Sequence, residues 1–116
     1  MWSPETTGSD APASIFAALG DPTRLHLVAR LSDGSPRSIS QLREGSSLSR
    51  QGLTKHLRVL EQVGLVHSRR AGREVRFTFV PEPMEEARSY LDRVCQQWDS
   101  ALNRLKVFVE ASSDEA

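Results

Sequence analysis

Five side chains able to donate hydrogen bonds at a distance, Arg50, Gln51, Thr54, Lys55 and Arg58, recur at steps of one, three and four residues. On a helix those steps fall on one side. Arginine and glutamine can pair bidentately with guanine and adenine edges, and basic side chains neutralise phosphates. Four more arginines, Arg69, Arg70, Arg73 and Arg76, cluster around Ala71-Gly72, a tight-turn signal. This chemistry recognises a polyanion and breaks no bond. There is no glycine-rich phosphate loop, no nucleophile elbow and no spaced ligand set, and the carboxylates are scattered along helices. No catalytic residue, no cofactor and no enzyme are expected.

The elements that must carry these residues can be read in the same stretch. Ser49 is a good N-cap, and Leu53, Leu57, Leu60 and Val63 give the helix an apolar side opposite its donors, with Gly64 placed to end it. A strand follows from Leu65-Val66, then a tip at residues 70–73. In the second strand Val75, Phe77 and Phe79 alternate with Glu74, Arg76 and Thr78. A donor-faced helix followed by a basic-tipped two-stranded hairpin implies a mainly α winged helix-turn-helix with a β-hairpin wing.

Upstream, Ile15, Phe16 and Leu19 mark a first helix ending at Gly20. Asp21-Pro22 starts a second, with Leu25, Val28, Ala29 and Leu31 as its buried stripe. Ser38 and Gln41 have capping-box spacing for a short third helix, broken by Gly45-Ser46-Ser47 before the fourth. Downstream, Pro81-Glu82-Pro83 resets the chain. From Met84 the apolar residues Ala87, Leu91, Val94, Trp98, Ala101, Leu105 and Phe108 alternate steps of three and four, a heptad seam widened by Leu102 and Val109.

Five helices are therefore expected. Residues 12–110 form the domain, the long last helix at 82–110 joins two copies, and tails at 1–11 and 111–116 are disordered, although Trp2 has the means to dock on a neighbour. So long a seam exceeds what a small domain can cover. The expected dimer interface is Ile15, Phe16, Met84, Leu91, Val94, Trp98, Leu102, Leu105 and Phe108; the alternative is a last helix lying across its own domain.

The 116 residues carry equal numbers of bases and acids, so net charge is zero. The distribution is uneven: residues 43–76 hold eight bases and three acids, a local balance of +5, leaving −5 elsewhere. Local charge governs contact with a polyanion. The single cysteine, Cys95, excludes an intramolecular disulfide. Next to the seam, it is expected to be partly buried and inert. No signal-like opening and no membrane-length apolar run are visible, so a cytoplasmic protein is expected.

The runs IFAALGDPTRLHLVARL, SISQL and LSRQGLTKHLRVLEQVGLV, followed by a basic wing and a long last helix, resemble the ArsR/SmtB family of bacterial repressors over residues 13–110. The resemblance implies a dimeric winged-helix repressor of transcription at a short inverted repeat, with double-stranded DNA and a second copy as partners. The family's Cys-Val-Cys-Asp-Leu metal stretch falls on Ser38-Ile39-Ser40-Gln41-Leu42, so both thiolate positions are serine, and soft metals prefer sulfur. The family's other metal site needs a histidine on the last helix, and none follows His67. His26, His56 and His67 make no ligand set by spacing. No metal residue is expected, and an unidentified small-molecule effector stays open as a partner.

Within that frame the DNA-binding set is Ser49, Arg50, Gln51, Thr54, Lys55, His56 and Arg58 on the helix, with Arg69, Arg70, Arg73 and Arg76 on the wing. Two other readings remain: a redox- or metal-responsive repressor of the same family, and a winged helix used for protein–protein contact.

Overall fold

A computed structural model describes residues 10–114; residues 1–9, with Trp2 and most of the expected N-terminal tail, and residues 115–116 lie outside it. Five helices, α1 (Asp10–Leu19), α2 (Pro22–Leu31), α3 (Ile39–Arg43), α4 (Arg50–Gln62) and α5 (Pro81–Asp114), are joined by three short strands. The strands are β1 (Arg37–Ser38), β2 (Val66–Ala71) and β3 (Glu74–Phe79), in the antiparallel order β1-β3-β2. The fold is the expected winged helix-turn-helix. Its sheet gains a third strand that two residues of sequence could not announce: Arg37 pairs with Phe77 and Ser38 with Arg76.

Local chemistry sets the helix boundaries. The Asp21 side chain accepts the amides of Thr23 and Arg24 and caps α2; the Arg24 amide, first, holds that carboxyl below the ordinary carboxylate range. Ser38 and Gln41 close a full capping box on α3. Beyond α4, Gly64 takes φ 81°. Its amide donates to Glu61 O at 3.0 Å, and the Leu65 amide donates to Leu60 O at 2.9 Å. That pair of bonds is the Schellman ending, and the left-handed position favours glycine.

The core gathers one face of each helix. Leu31, Leu57, Leu60 and Leu65 are fully buried, with Ile15, Leu27, Leu42, Leu53, Val66, Phe77 and Ala87 around them. Ile15, expected at an interface between copies, instead has its side chain 2 % exposed inside this core. The face of α2 is also rotated from expectation: Leu27, Val28 and Leu31 are buried, whereas Leu25 is 54 % exposed and Ala29 is exposed. The three-residue steps Leu25–Val28–Leu31 and the four-residue step Leu27–Leu31 both fit a helix. The sequence could not choose between them.

Two arginines brace the frame. Arg30 donates to the carbonyls of Leu42 (2.9 Å) and Gln41 (3.2 Å) at the end of α3. Arg37 reaches the Arg30 carbonyl at 2.6 Å and both oxygens of Asp33 at 3.0 Å. Hydrogen bonding from Arg37, chiefly, lowers the Asp33 pKa to about 2.

α5 packs near its start, where Ala87 is buried and Phe16 meets Tyr90 with ring centroids 6.1 Å apart. Its 34 residues then run on for about 50 Å, and the described fold extends 75 × 33 × 23 Å. The helix continues to Asp114, so residues 111–114 are helical where a disordered tail was expected, and α1 likewise starts at Asp10. Cys95 is exposed, not partly buried.

Candidate nucleic-acid interface

α4 is amphipathic in the strict sense: Leu53, Leu57 and Leu60 are buried while Arg50, Gln51, Lys55 and Arg58 are exposed. Arg50, Gln51, Thr54, Lys55 and Arg58 line one shallow surface groove. Ser49 Oγ accepts the Gly52 amide at 3.0 Å, which leaves its hydroxyl proton free to donate. A Cβ at Gly52 would sit 3.3 Å from that Oγ. Thr54 Oγ1 donates to the Arg50 carbonyl at 2.7 Å, so the side chain offers outward a methyl and a lone pair, suited to a thymine methyl or a donor.

His56 belongs elsewhere. Its Nδ1 lies 3.3 Å from an Arg24 guanidinium nitrogen and 3.7 Å from Asp21 Oδ2. Arg24 Nε in turn donates to Ala18 O at 2.6 Å. The ring thus seats the middle of α4 on the α1–α2 junction and stands apart from the five side chains that line the donor groove. The cause is the α2 cap: Asp21 and Arg24 present a polar cluster that the one-sided sequence pattern of α4 did not disclose.

The wing is a hairpin with Gly72-Arg73 as its two-residue turn, Gly72 at φ 65° and no other residue there at positive φ. That geometry asks for glycine at the first turn position. Arg69 pairs with Arg76 and Arg70 with Val75. Strand alternation divides the bases. Arg69 and Arg76 share a face with His67 and Thr78, lining a surface depression there, while Arg70 points the other way and Arg73 stands at the tip. Arg76 Nε is also 3.6 Å from Glu74 Oε2. The four arginines are therefore a sleeve around the hairpin rather than one patch. Val75, 40 % exposed, lies beyond the core on the same projecting end.

Sequence reasoning passed over three supports of this surface: Arg30, Arg24 and Glu61. The last, on the final turn of α4, accepts both the amide (3.0 Å) and the hydroxyl (2.5 Å) of Ser68 in β2. Each acts through an atom on a distant element, so no local spacing reveals it.

Comparison with known proteins adds the family. A family model described as a helix-turn-helix domain matches residues 19–69. The chain is similar to the HTH-type transcriptional regulator Rv2034 of Mycobacterium tuberculosis, with 30% identity over 105 residues, 90% of this chain and 94% of that protein. It is also similar to a solved ArsR-like transcriptional regulator from Rhodococcus sp. RHA1, 34% identical with a TM-score of 0.74 over 87% of this chain and 94% of that one. The chain belongs to the ArsR family of winged helix-turn-helix transcriptional regulators. A second solved ArsR family transcriptional regulator, 30% identical with a TM-score of 0.72, covers 78% of this chain and 93% of its own.

As an ArsR-family protein the chain is a DNA-binding regulator and not an enzyme. The serine standing where the family's first thiolate falls, Ser38, is 4 % exposed, and its hydroxyl is committed to the α3 capping box. Among the described residues no three His, Cys, Asp or Glu side chains gather in a way that could hold a metal. Nor is any described helix long and apolar enough to cross a membrane.

Proposed function

We propose that this ArsR-family regulator is a cytoplasmic homodimeric repressor that binds an inverted-repeat operator and does not take a metal ion as its signal. The observation that carries the reading is the bare side of α5. Leu91, Trp98, Leu102, Leu105 and Phe108 are between 47% and 70% exposed within the chain. Fully burying one such side chain contributes about 1.5–3 kcal/mol, and an aromatic at the centre of a seam is the usual anchor. Phe16, Met84 and Val94, each partly covered, border the same stripe.

Two relatives lend support. A solved winged helix-turn-helix DNA-binding domain from Mycobacterium bovis, of the same fold at a TM-score of 0.62, is homodimeric. A relative from Streptomyces lividans, 35% identical over 72 residues, is a probable mercury resistance operon repressor. A mercury signal does not transfer easily, because this chain has one cysteine, exposed on α5.

In such a dimer the two α4 helices enter successive major grooves about one helical turn apart. Arg50 and Gln51 take base edges with Thr54 and Lys55 beside them, Ser49 and Arg58 hold phosphates, and Arg73 and Arg70 at the wing reach the adjacent backbone or minor groove. Arg69 and Arg76 flank it. Arg50→Ala is expected to relax sequence choice at one position, losing about 1–3 kcal/mol of discrimination. Arg73→Ala is expected to weaken all sequences alike and flatten the log K against log salt plot by about one unit. Fluorescence anisotropy over a salt series with specific and mixed duplexes separates the two. Intact binding in both variants would remove the proposed reading surface.

A further inference from the structure

The stretch that faces nucleic acid holds three acids among its eight bases, and an acid there opposes a phosphate. Of these, Glu74 lies 3.6 Å from Arg76 within the wing, whereas Glu61 is turned to another use. It sits three residues after Arg58, yet among the described residues its carboxylate joins no ion pair within 4.0 Å; the described salt bridges all lie elsewhere. Instead one oxygen, Oε2, takes both the backbone amide and the hydroxyl of Ser68. Hydrogen bonds to an ionised carboxylate are roughly twice as strong as neutral ones. They run from the last turn of α4 to the third residue of β2.

We propose that Glu61 is the positioning residue that fixes the angle between the recognition helix and the wing, so that both reach DNA together. The inference rests on the DNA-reading role proposed above.

The geometry gives the bond its leverage. Three residues link α4 to β2, and the base of the wing is closed by the Val80 amide donating to Leu65 O at 2.9 Å and by buried Val66 and Phe77. These hold the root of the hairpin in the core. Beyond them the strands project, with Arg69, Arg70, Ala71 and Val75 exposed. Arg73 stands five residues past Ser68, about 16 Å of strand, so a 10° swing at the root moves the tip by about 3 Å. That exceeds the tolerance of a hydrogen bond. Ser68 is the outermost residue of β2 that any helix grips by a described side-chain bond.

Charge and geometry make opposite forecasts, which is what makes the test sharp. If Glu61 were only a negative charge beside DNA, removing it would tighten binding. As a strut, its loss loosens the wing. The measurement is anisotropy of a labelled mixed-sequence duplex over a salt series with E61Q, E61A, S68A and each combined with R73A. E61Q keeps an amide oxygen for the Ser68 amide while losing the charge, and is expected to bind at least as tightly as the native chain. E61A is expected to bind more weakly, with the salt slope lower by about one unit, and R73A added to it is expected to change nothing further, the non-additivity of residues acting as one unit. S68A, which keeps the amide bond, is expected to fall between.

E61A binding as tightly as E61Q, or R73A having its full effect in the E61A background, overturns the proposal. Should the native chain show no salt-dependent DNA binding, the DNA reading fails and the strut is read without DNA. Backbone order parameters for residues 69–76 are then expected to drop from about 0.85 towards 0.6 in E61A, and unchanged values reject it.

Discussion

Replacing Trp98 and Leu105 with glutamate is expected to convert the protein to a monomer at micromolar concentration and to lower operator affinity by roughly 10²- to 10⁴-fold. Both side chains are largely bare within the chain, 64% and 58% exposed, so nothing in the winged core depends on them and far-ultraviolet circular dichroism should be unchanged. What is lost is the covalent-like proximity of two reading heads. Once one α4 is seated, its twin searches for the second half-site at high effective concentration; a monomer must find it afresh. Sedimentation equilibrium and operator binding on the same samples check the two halves together. A variant that stays dimeric, or that dissociates without losing more than a few-fold in affinity, would contradict the role given to α5. The alternative of a last helix folded over its own domain is already answered by the exposure of its distal half, where Leu102, Val107, Phe108 and Val109 all stand more than half bare.

Leu57→Ala is expected to cost about 2–5 kcal/mol of folding stability. The side chain is 0 % exposed at the centre of the core side of α4, and the cavity left behind adds to the lost transfer energy. Against a total of about 5–15 kcal/mol for a domain of this kind, this is a large fraction, equivalent to a fall in melting temperature of roughly 10–30 °C. Because dimer stability depends on concentration, thermal unfolding should be compared at one protein concentration. Lys55→Ala, two residues earlier on the exposed side, is expected to shift stability by no more than about 0.5 kcal/mol. A Leu57→Ala loss below 1 kcal/mol would mean that α4 is not held by the core as described.

That contrast shows how much could be read from residues alone. Along α4 the leucines and the strong donors differ in kind, so Leu53, Leu57 and Leu60 announce the core and Arg50, Gln51 and Lys55 announce the open side. Caps were equally legible, since Ser38 with Gln41, Ser49 and Asp21 act on amides two or three residues away. Reading failed where partners are distant or spacing is ambiguous. In α2 the expected stripe holds at Val28 and Leu31 and fails at Leu25 and Ala29, because Leu25 and Leu27 offer alternative phases. β1 is too short to have a pattern. His56 looked like a donor on a basic helix until Asp21 and Arg24 were seen beside it. Ile15 carried the right character for an interface but lies inward, because α1 turns that side to the core. The arginines of the wing were countable, but their division between two faces depends on register, which the turn at Gly72-Arg73 fixes.

The proposal that two α4 helices read one operator is tested most directly by hydroxyl-radical footprinting of the native protein on the DNA upstream of its own coding sequence. Expected are two protected patches related by twofold symmetry, centred about 34–36 Å or one helical turn apart, with two protomers bound per site. A single protected patch, a spacing that is no multiple of the helical repeat, or no protection at a concentration that saturates mixed-sequence DNA would contradict it.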